Sequence, residues 1–336
     1  METSHNKWNY GIQHARGLAV SCVVVFHFFE LSSFWGRFGV NLFFCISGYL
    51  MIQILTKPSP GGINLKNFLK KRFVRLYPAL LFTVLLIWIL CFLDLVPGDT
   101  FQYLITGLGY LFFVGNFSGV FIPGSGTSAV AFGHMWTLAL EWQMYVLLAL
   151  FMKVVYVSRF YRAISYTFFY LASALSLLAI FLVDVNAPSI ILNSLMCSIC
   201  FLLGAVTFLV NQSAKIQFFV GKVFLLVVFV ICSCVASKGN TQQLLESLQV
   251  ISVSILVFLV CKDLRVSDLS PMRFLGSISY SYYLLHYPVY FIMKHYFPTP
   301  NLLIKIASVS LATCLAYLCW LKVESRFWKP SRQTFT

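Results

Sequence analysis

The stretch HARGLAVSCVVVFHFFE, from His14 to Glu30, decides how the whole sequence is interpreted. Its apolar run is typical of a helix that crosses a membrane, yet Arg16 stands near one end and His27 near the other. Eleven helical steps turn by about 20° more than three full turns, so both side chains lie on one face, about 16 Å apart along the axis. Titratable groups inside a membrane are costly and usually face the interior of a bundle. A snorkelling arginine and an unrelated core histidine would also explain this stretch if it stood alone.

The composition of the chain agrees with a membrane protein. Of 336 residues, 60% are hydrophobic and 10% are charged. Soluble domains are about 45–50% apolar and about 25% charged, so only a polytopic membrane protein accounts for these values. The ten cysteines lie in apolar runs, which predicts no disulfide. Neither Cys197 and Cys200 nor Cys232 and Cys234 have nearby partner ligands, so no metal is expected.

Ten segments of the sequence are apolar over about the 20 residues that a helix needs to cross the membrane. An eleventh apolar segment, 101–117, is shorter and broken by glycines, so we interpret it as an interfacial or re-entrant piece. The predicted spans are 14–31, 36–55, 76–96, 133–155, 164–184, 189–210, 217–236, 244–261, 274–292 and 301–321.

Lysine and arginine placement predicts the orientation, because cytoplasmic loops carry the excess of these residues. With the N-terminus inside and ten alternating spans, 20 lysines and arginines fall inside and 4 fall outside. This distribution accounts for the net charge of +14 without a nucleic-acid partner. We therefore predict an all-α polytopic membrane helix bundle of about ten transmembrane helices with both termini in the cytoplasm. Residues 1–336 are predicted to form a single integral-membrane domain.

The fourth span contains GHMWTLALEWQMYVL, in which polar residues recur at helical spacing. His134, Thr137, Glu141 and Tyr145 are separated by 3, 4 and 4 positions and form one polar stripe. At 1.5 Å per residue, Glu141 lies roughly 12 Å from the outer start of the span, near mid-membrane. An unpaired carboxylate there is expensive, so it is expected to be either protonated or paired, with Arg16 or an arginine of the basic loop as the partner. A purely structural ion pair would meet the same requirement.

The ninth span, SISYSYYLLHYPVYF, repeats this pattern. Ser279, Tyr282 and His286 are spaced by 3 and 4 positions and are predicted to share one face. Taken alone, His286 is more often a structural histidine than a catalytic one. Three spans with such stripes are best buried by facing each other, which predicts a polar cavity inside the bundle.

A basic segment, NLKNFLKKRFVRLYP, is predicted to form a cytoplasmic loop below this cavity. Lys66 and Lys70 are four positions apart, and Arg72 and Arg75 are three apart, so each pair can share a helical face. The segment fits an anchor on acidic lipid. It also fits a landing site for an anionic cofactor with several phosphates, because arginine forks match phosphate oxygens.

Six stretches resemble, in order, the motifs of membrane acyltransferase family 3, the bacterial acyl-CoA-dependent O-acyltransferases of surface and exported polysaccharides. The chain departs from the family pattern at Asn41, where aspartate is usual, at Met144, where phenylalanine is usual, and in a terminal motif without proline. The stretches run from about residue 12 to 327 and are ARGLAVSCVVVFH, GVNLFFCISGYL, FLKKRFVRLYP, HMWTLALEWQMY, ISYSYYLLHYPV and VESRF.

The resemblance implies roles for particular residues in acyl transfer. His27 would act as general base on a sugar hydroxyl, or accept the acyl group before transfer. Arg16 would bind the donor or stabilise oxyanion charge, and Glu141 would orient a histidine or help proton transfer. The residues expected to hold the donor are Arg72, Arg75, Lys71 and Tyr77. The second-rank candidates and substrate contacts are His134, Thr137, His286, Ser279, Tyr282 and Asn41.

The resemblance also implies the partners of the protein. Acetyl-CoA is the expected donor, used as a substrate and without a metal cofactor, and a glycan, lipid-linked or free, is the expected acceptor. The expected location is the bacterial cytoplasmic (inner) membrane, in contact with its lipids, and homo-oligomer formation is left open. No appended soluble domain is expected.

Two other functions fit the same residues. A proton-coupled secondary transporter would also need many spans, an intramembrane histidine and glutamate, and a polar cavity. No paired repeat is visible in the two halves, which counts against it. A non-catalytic partner in glycan assembly would leave Arg16, His27 and Glu141 dispensable.

Overall fold

A computed structural model describes residues 10–57, 62–117, 130–158, 160–182, 189–210, 241–263 and 271–327 of the chain. These ranges contain helices and turns and no strand, which confirms the all-α class. Their longer helices are α1 (Tyr10–Phe29), α2 (Ser33–Leu55), α3 (Leu65–Phe92), α4 (Thr100–Leu111), α5 (Trp136–Val155), α6 (Tyr161–Leu182), α7 (Ser189–Val210), α8 (Thr241–Asp263), α9 (Pro271–Tyr296) and α10 (Leu302–Cys319). A π-helical turn (Trp320–Glu324) and the short α11 (Ser325–Phe327) continue α10.

Seven helices in the described ranges are long and apolar enough to cross a membrane, which confirms a multi-pass membrane protein. They are α1, α2, α3, α5, Ile190–Leu209 of α7, Leu245–Lys262 of α8, and α10 with its continuation to Phe327. Helices α6 and α9 lie at two further predicted spans. The predicted span 217–236, which includes Cys232 and Cys234, lies outside the described residues. The count of ten and the side of the termini therefore stay predictions.

The third helix begins earlier than the sequence pattern indicated. The prediction placed the basic segment in a loop and began the span at residue 76, whereas α3 already starts at Leu65. The Asn64 side chain accepts a hydrogen bond from the Asn67 backbone N–H at 2.9 Å, which caps the helix start. Arg72 and Arg75 therefore project from a regular helix rather than from a loop.

Two further boundaries bear on the predicted elements. Segment 101–117 contains α4, whose 12 residues extend about 18 Å, too short to cross a hydrocarbon core of about 30 Å. The Trp88 indole N–H donates to the Tyr103 carbonyl at 2.9 Å and ties α4 to α3.

Helix α5 begins at Trp136, so His134 lies in the turn before the helix rather than within it.

Helices α1 and α9 pack as a close parallel pair. Gly17 lies against the backbone carbonyl of Met272 near the helix starts, and Gly276 lies against the backbone of α1. Further along, the ring centroids of His27 and Tyr290 are 5.3 Å apart. A parallel arrangement of the predicted first and ninth spans agrees with the alternation of the predicted topology.

A second glycine contact holds α2 against α7. The backbone at Gly48 meets the carbonyl of Phe201, and the backbone at Gly204 meets the carbonyl of Cys45. Helices in membranes rely on such small residues, because lipid offers no hydrophobic driving force for their association.

We expect Gly48→Ala to destabilise the bundle by about 1–3 kcal/mol, because the added methyl group would overlap the Phe201 carbonyl. Gly109→Ala in α4 is the matched control, since a methyl group there meets Gly115 at an ordinary distance of 3.4 Å. Thermal denaturation midpoints in the same detergent measure both effects. Equal midpoints for the two variants would contradict the contact.

Candidate active site

A cavity lies between α1, α2, α3, α5 and α9, and its empty space, including the part open to solvent, is about 820 Å³. Its wall is mostly apolar, but four charged residues project into it from three helices: Arg16 from α1, Arg72 and Arg75 from α3, and Glu141 from α5. Thr137 and Ser279 also line it, as does Tyr283 of α9. The lining of the cavity therefore combines apolar side chains with charged and hydroxyl groups.

The arginines of the cavity are balanced by two carboxylates. Arg16 interacts electrostatically with Glu324 and Glu141, and with the like charge of Arg75. Arg75 also interacts with Glu324, which is only 5% exposed. Three arginines against two glutamates leave the group with an excess positive charge. Such an excess of positive charge attracts anions.

Both carboxylates are held in place by hydroxyl groups. Ser47 donates to Glu141 Oε1 at 2.5 Å, and the Tyr145 hydroxyl donates to the same oxygen. Ser281 donates to Glu324 Oε2 at 2.8 Å. A carboxylate with fixed hydrogen-bond donors keeps its orientation when the ligand leaves.

Three histidines from distant parts of the chain form a cluster beside the cavity. The ring centroid of His286 lies 5.3 Å from that of His27 and 5.4 Å from that of His134. His134 also stacks on Tyr287 at 4.9 Å, and His27 meets the same ring edge-on at 4.9 Å. The polar stripes of the first, fourth and ninth predicted spans thus face each other.

Backbone contacts orient two of the histidines. His134 Nε2 lies 3.0 Å from the Leu284 carbonyl, and His286 Nδ1 lies 2.7 Å from the Tyr283 carbonyl. A carbonyl only accepts, so each of these nitrogens carries the proton, and the other ring nitrogen presents a lone pair. His27 is partly exposed and makes no hydrogen bond to any residue of the described ranges. It is the histidine that is open to a substrate.

Tyr283 separates the cavity from the histidine cluster. Its hydroxyl lies 2.7 Å from Thr137 Oγ1 and donates to the His134 carbonyl at 2.9 Å. Its ring centroid is 5.5 Å from that of His134 and 5.6 Å from that of His286. The two halves of the site therefore share one wall.

Two residues of the basic segment do not reach the cavity, contrary to expectation. Lys71 is exposed, whereas Arg72 beside it is only 5% exposed. Tyr77 stacks on Phe73, with ring centroids 4.3 Å apart. The segment is helical, so successive residues point about 100° apart and only Arg72 and Arg75 face inward.

Tyr282 and Asn41 are also placed away from the cavity. The Tyr282 hydroxyl lies 2.8 Å from Thr313 Oγ1 of α10, because α10 packs on that side of α9. Asn41 is buried and donates to the Arg37 carbonyl of its own helix at 2.8 Å. Ser279 does line the cavity, although its hydroxyl also donates to the Gly276 carbonyl at 2.9 Å.

Several residues of the site were not among those predicted from the sequence. They are Ser47, Ser281, Tyr283, Tyr287 and Glu324. All five lie in stretches that carry the resemblance, and Glu324 is the acid of VESRF. Within the described ranges, no group of three or more histidines, cysteines, aspartates or glutamates has the arrangement of a metal site.

A family model described as “Acyltransferase domain” matches residues 9–321. The match covers α1 to α10 and therefore every residue that lines the cavity, whereas Glu324 lies beyond it. No solved structure matches the chain.

Relatives with similar sequences come from several bacteria. The “Putative peptidoglycan O-acetyltransferase YrhL” of Bacillus subtilis is 27% identical over 86% of this chain and 49% of its own length. The “Putative membrane-bound transacylase BcsY” of Komagataeibacter xylinus is 28% identical over 82% of this chain and 72% of its own length. The “Putative O-acetyltransferase SACOL0978” of Staphylococcus aureus is 28% identical over 43% of this chain and 25% of its own length. The chain thus spans about half the length of the Bacillus relative.

We expect Glu324→Gln to lower the free energy of unfolding by about 3 kcal/mol, because it leaves Arg16 and Arg75 with one carboxylate fewer in a buried site. Glutamine keeps an acceptor for Ser281, so the change isolates the charge. Glu246→Gln is the control, since that side chain is 44% exposed and 3.8 Å from Arg37. It should cost less than about 1 kcal/mol. Denaturation of both variants in the same detergent measures these losses. Equal losses of unfolding free energy for the Glu324 and Glu246 variants would contradict the buried charge group.

Proposed function

Because this chain belongs to the acyltransferase family whose domain model it matches, we propose that it transfers an acyl group from cytoplasmic acyl-CoA to a glycan hydroxyl. Acetyl is the acyl group that we expect. The acceptor would be a cell-surface or exported glycan such as O-antigen, capsule or exopolysaccharide. The observation that carries the proposal is the shared wall at Tyr283. An arginine-lined cavity lies on one side of this wall, and on the other lies the histidine cluster, whose accessible member is His27.

The arginines of the cavity suit the phosphates of acyl-CoA. Arg72 and Arg75 can offer planar donor forks to phosphate oxygens, and such charge-assisted hydrogen bonds are strong. Arg16 lies about 16 Å along the helix from His27, too far for its side chain to reach a reacting carbonyl beside that ring. We therefore assign Arg16 to donor binding rather than to the oxyanion.

His27 would be the general base. Its imidazole takes the proton from the acceptor hydroxyl while that oxygen attacks the thioester carbonyl. The tetrahedral intermediate then collapses, the carbon–sulfur bond breaks, and the imidazolium returns the proton to the departing CoA sulfur. Transfer through an acyl-histidine uses the same residue, with nitrogen as the first nucleophile. Either route needs a ring nitrogen open to the substrate, which His27 provides.

Glu141 would act on the donor side. Its hydrogen bonds to Ser47 and Tyr145 hold it in the cavity, and its charge interacts with those of Arg16 and Arg72. We assign it to holding the guanidinium groups in position between turnovers. Family membership favours acyl transfer over the secondary transporter, for which the cavity alone would also suffice.

We expect His27→Ala to lower O-acetylation of the host glycan by at least about 100-fold, the usual size of general-base catalysis. His295→Ala is the matched control, because that histidine is exposed at the end of α9. Base-released acetate from surface glycan measures the result at equal membrane expression. Undiminished acetylation in the His27 variant would remove this residue from catalysis.

Arg72→Ala should raise the Kd for acetyl-CoA roughly tenfold to hundredfold, the loss expected for one charge-assisted contact. Lys71→Ala removes the same charge one residue away, but from an exposed position, and should change the Kd by less than about twofold. Equilibrium binding of acetyl-CoA to the purified proteins compares the two. An equal effect at both positions would show that the segment attracts the donor only through its overall charge.

A further inference from the structure

The accessible edge of the histidine cluster is formed by His27 with two tyrosines. Tyr287 and Tyr290 stand 4.9 Å and 5.3 Å from the His27 ring centroid, and 5.7 Å from each other. All three side chains are partly exposed, whereas His134 and His286 behind them are buried. Any acceptor that reaches His27 therefore meets these two tyrosine rings.

The hydroxyls of these tyrosines differ from those of the tyrosines just before them in α9. Tyr280 donates to the Leu76 carbonyl at 2.8 Å, Tyr282 pairs with a threonine, and Tyr283 bonds both Thr137 and a carbonyl. No residue of the described ranges bonds the hydroxyl of Tyr287 or Tyr290. The first three are fixed by the fold, and the last two remain available to a ligand.

The rim above the tyrosines is charged. Lys294, one turn beyond Tyr290, pairs with Glu30 at the end of α1 and also donates to the Pro298 carbonyl at 3.3 Å. This pairing lowers the pKa of the Glu30 carboxyl, because the ammonium favours its charged form. The solvent exposure of the side chains rises from His286, which is buried, through Tyr290 to Glu30, which is exposed. The accessible edge of the histidine cluster therefore opens to solvent on the side away from the arginine cavity.

We propose that His27, Tyr287 and Tyr290 form the acceptor subsite, in which a sugar ring packs on the tyrosines and bonds their hydroxyls. A pyranose has an apolar C–H face and a polar edge of hydroxyls. A phenol has matching parts, an apolar ring with one polar tip. Packing of this kind holds a sugar hydroxyl beside the His27 ring without any further charge. The assignment rests on the proposed function and names the part of the site that selects the acceptor.

The test separates the acceptor from the donor. Tyr287→Ala, Tyr290→Ala and the double variant are reconstituted in liposomes, with surface glycan extracted from producing cells that lack this chain as the acceptor. We expect the KM for glycan to rise roughly tenfold for each variant, as for the loss of a stacked aromatic ring, with the Kd for acetyl-CoA unchanged. The phenylalanine variants, which keep the rings, should show a smaller rise. Tyr296→Ala, an exposed tyrosine at the end of α9, is the control and should match the unsubstituted protein.

Each outcome decides between the two proposals. An unchanged glycan KM in the double variant overturns the acceptor subsite and leaves the acyltransferase function standing. An equal loss of donor affinity also overturns it, because the tyrosines would then support the whole fold or the donor cavity. If the unsubstituted protein binds acetyl-CoA but transfers nothing to the extracted glycan, the proposed function itself fails.

Discussion

Three guanidinium groups inside an apolar bundle need compensating charges close by, and this requirement arranges much of the structure. Removing Arg16, Arg72 and Arg75 from water costs several kcal/mol for each ion unless carboxylates stand near. Glu141 comes from α5 and Glu324 from the turn after α10, so the charge group joins four separate parts of the chain. Helices that would otherwise meet only through apolar side chains are thereby held in one register.

The second requirement is close approach between α1 and α9. Gly17 and Gly276 let the two backbones touch, which a side chain at either position would prevent. Beyond this crossing, the same parallel alignment brings His27 level with His286 and Tyr290. The histidine cluster is therefore a product of backbone packing as well as of polar pairing.

Helical periodicity predicted much of this site and also explains which candidate residues the structure places outside the cavity. Arg16 and His27 share a face because 3.6 residues per turn relates their positions whatever the neighbours are. Lys71 was grouped with the arginines because the segment was predicted to be a loop, and the helix observed there places its side chain on the exposed face. Tyr282 lies against α10 rather than in the cavity, because the pattern shows which residues share a face but not which helix covers that face. Glu324 lies far away in sequence, so only the fold shows that it meets the arginines.

The distance between the two halves of the site has a chemical consequence. About 16 Å of α1 separates the residue assigned to donor phosphates from the residue assigned to catalysis. In the proposed reaction the phosphate charges stay with the arginines, and only a thioester, a hydroxyl and a neutral imidazole meet beyond Tyr283. Charge develops there only transiently, as an imidazolium beside the tetrahedral oxyanion, because the proton passes from hydroxyl to imidazole to sulfur. A region without buried counter-ions can carry out such a step, and its apolar and aromatic walls then favour a sugar ring over a charged competitor.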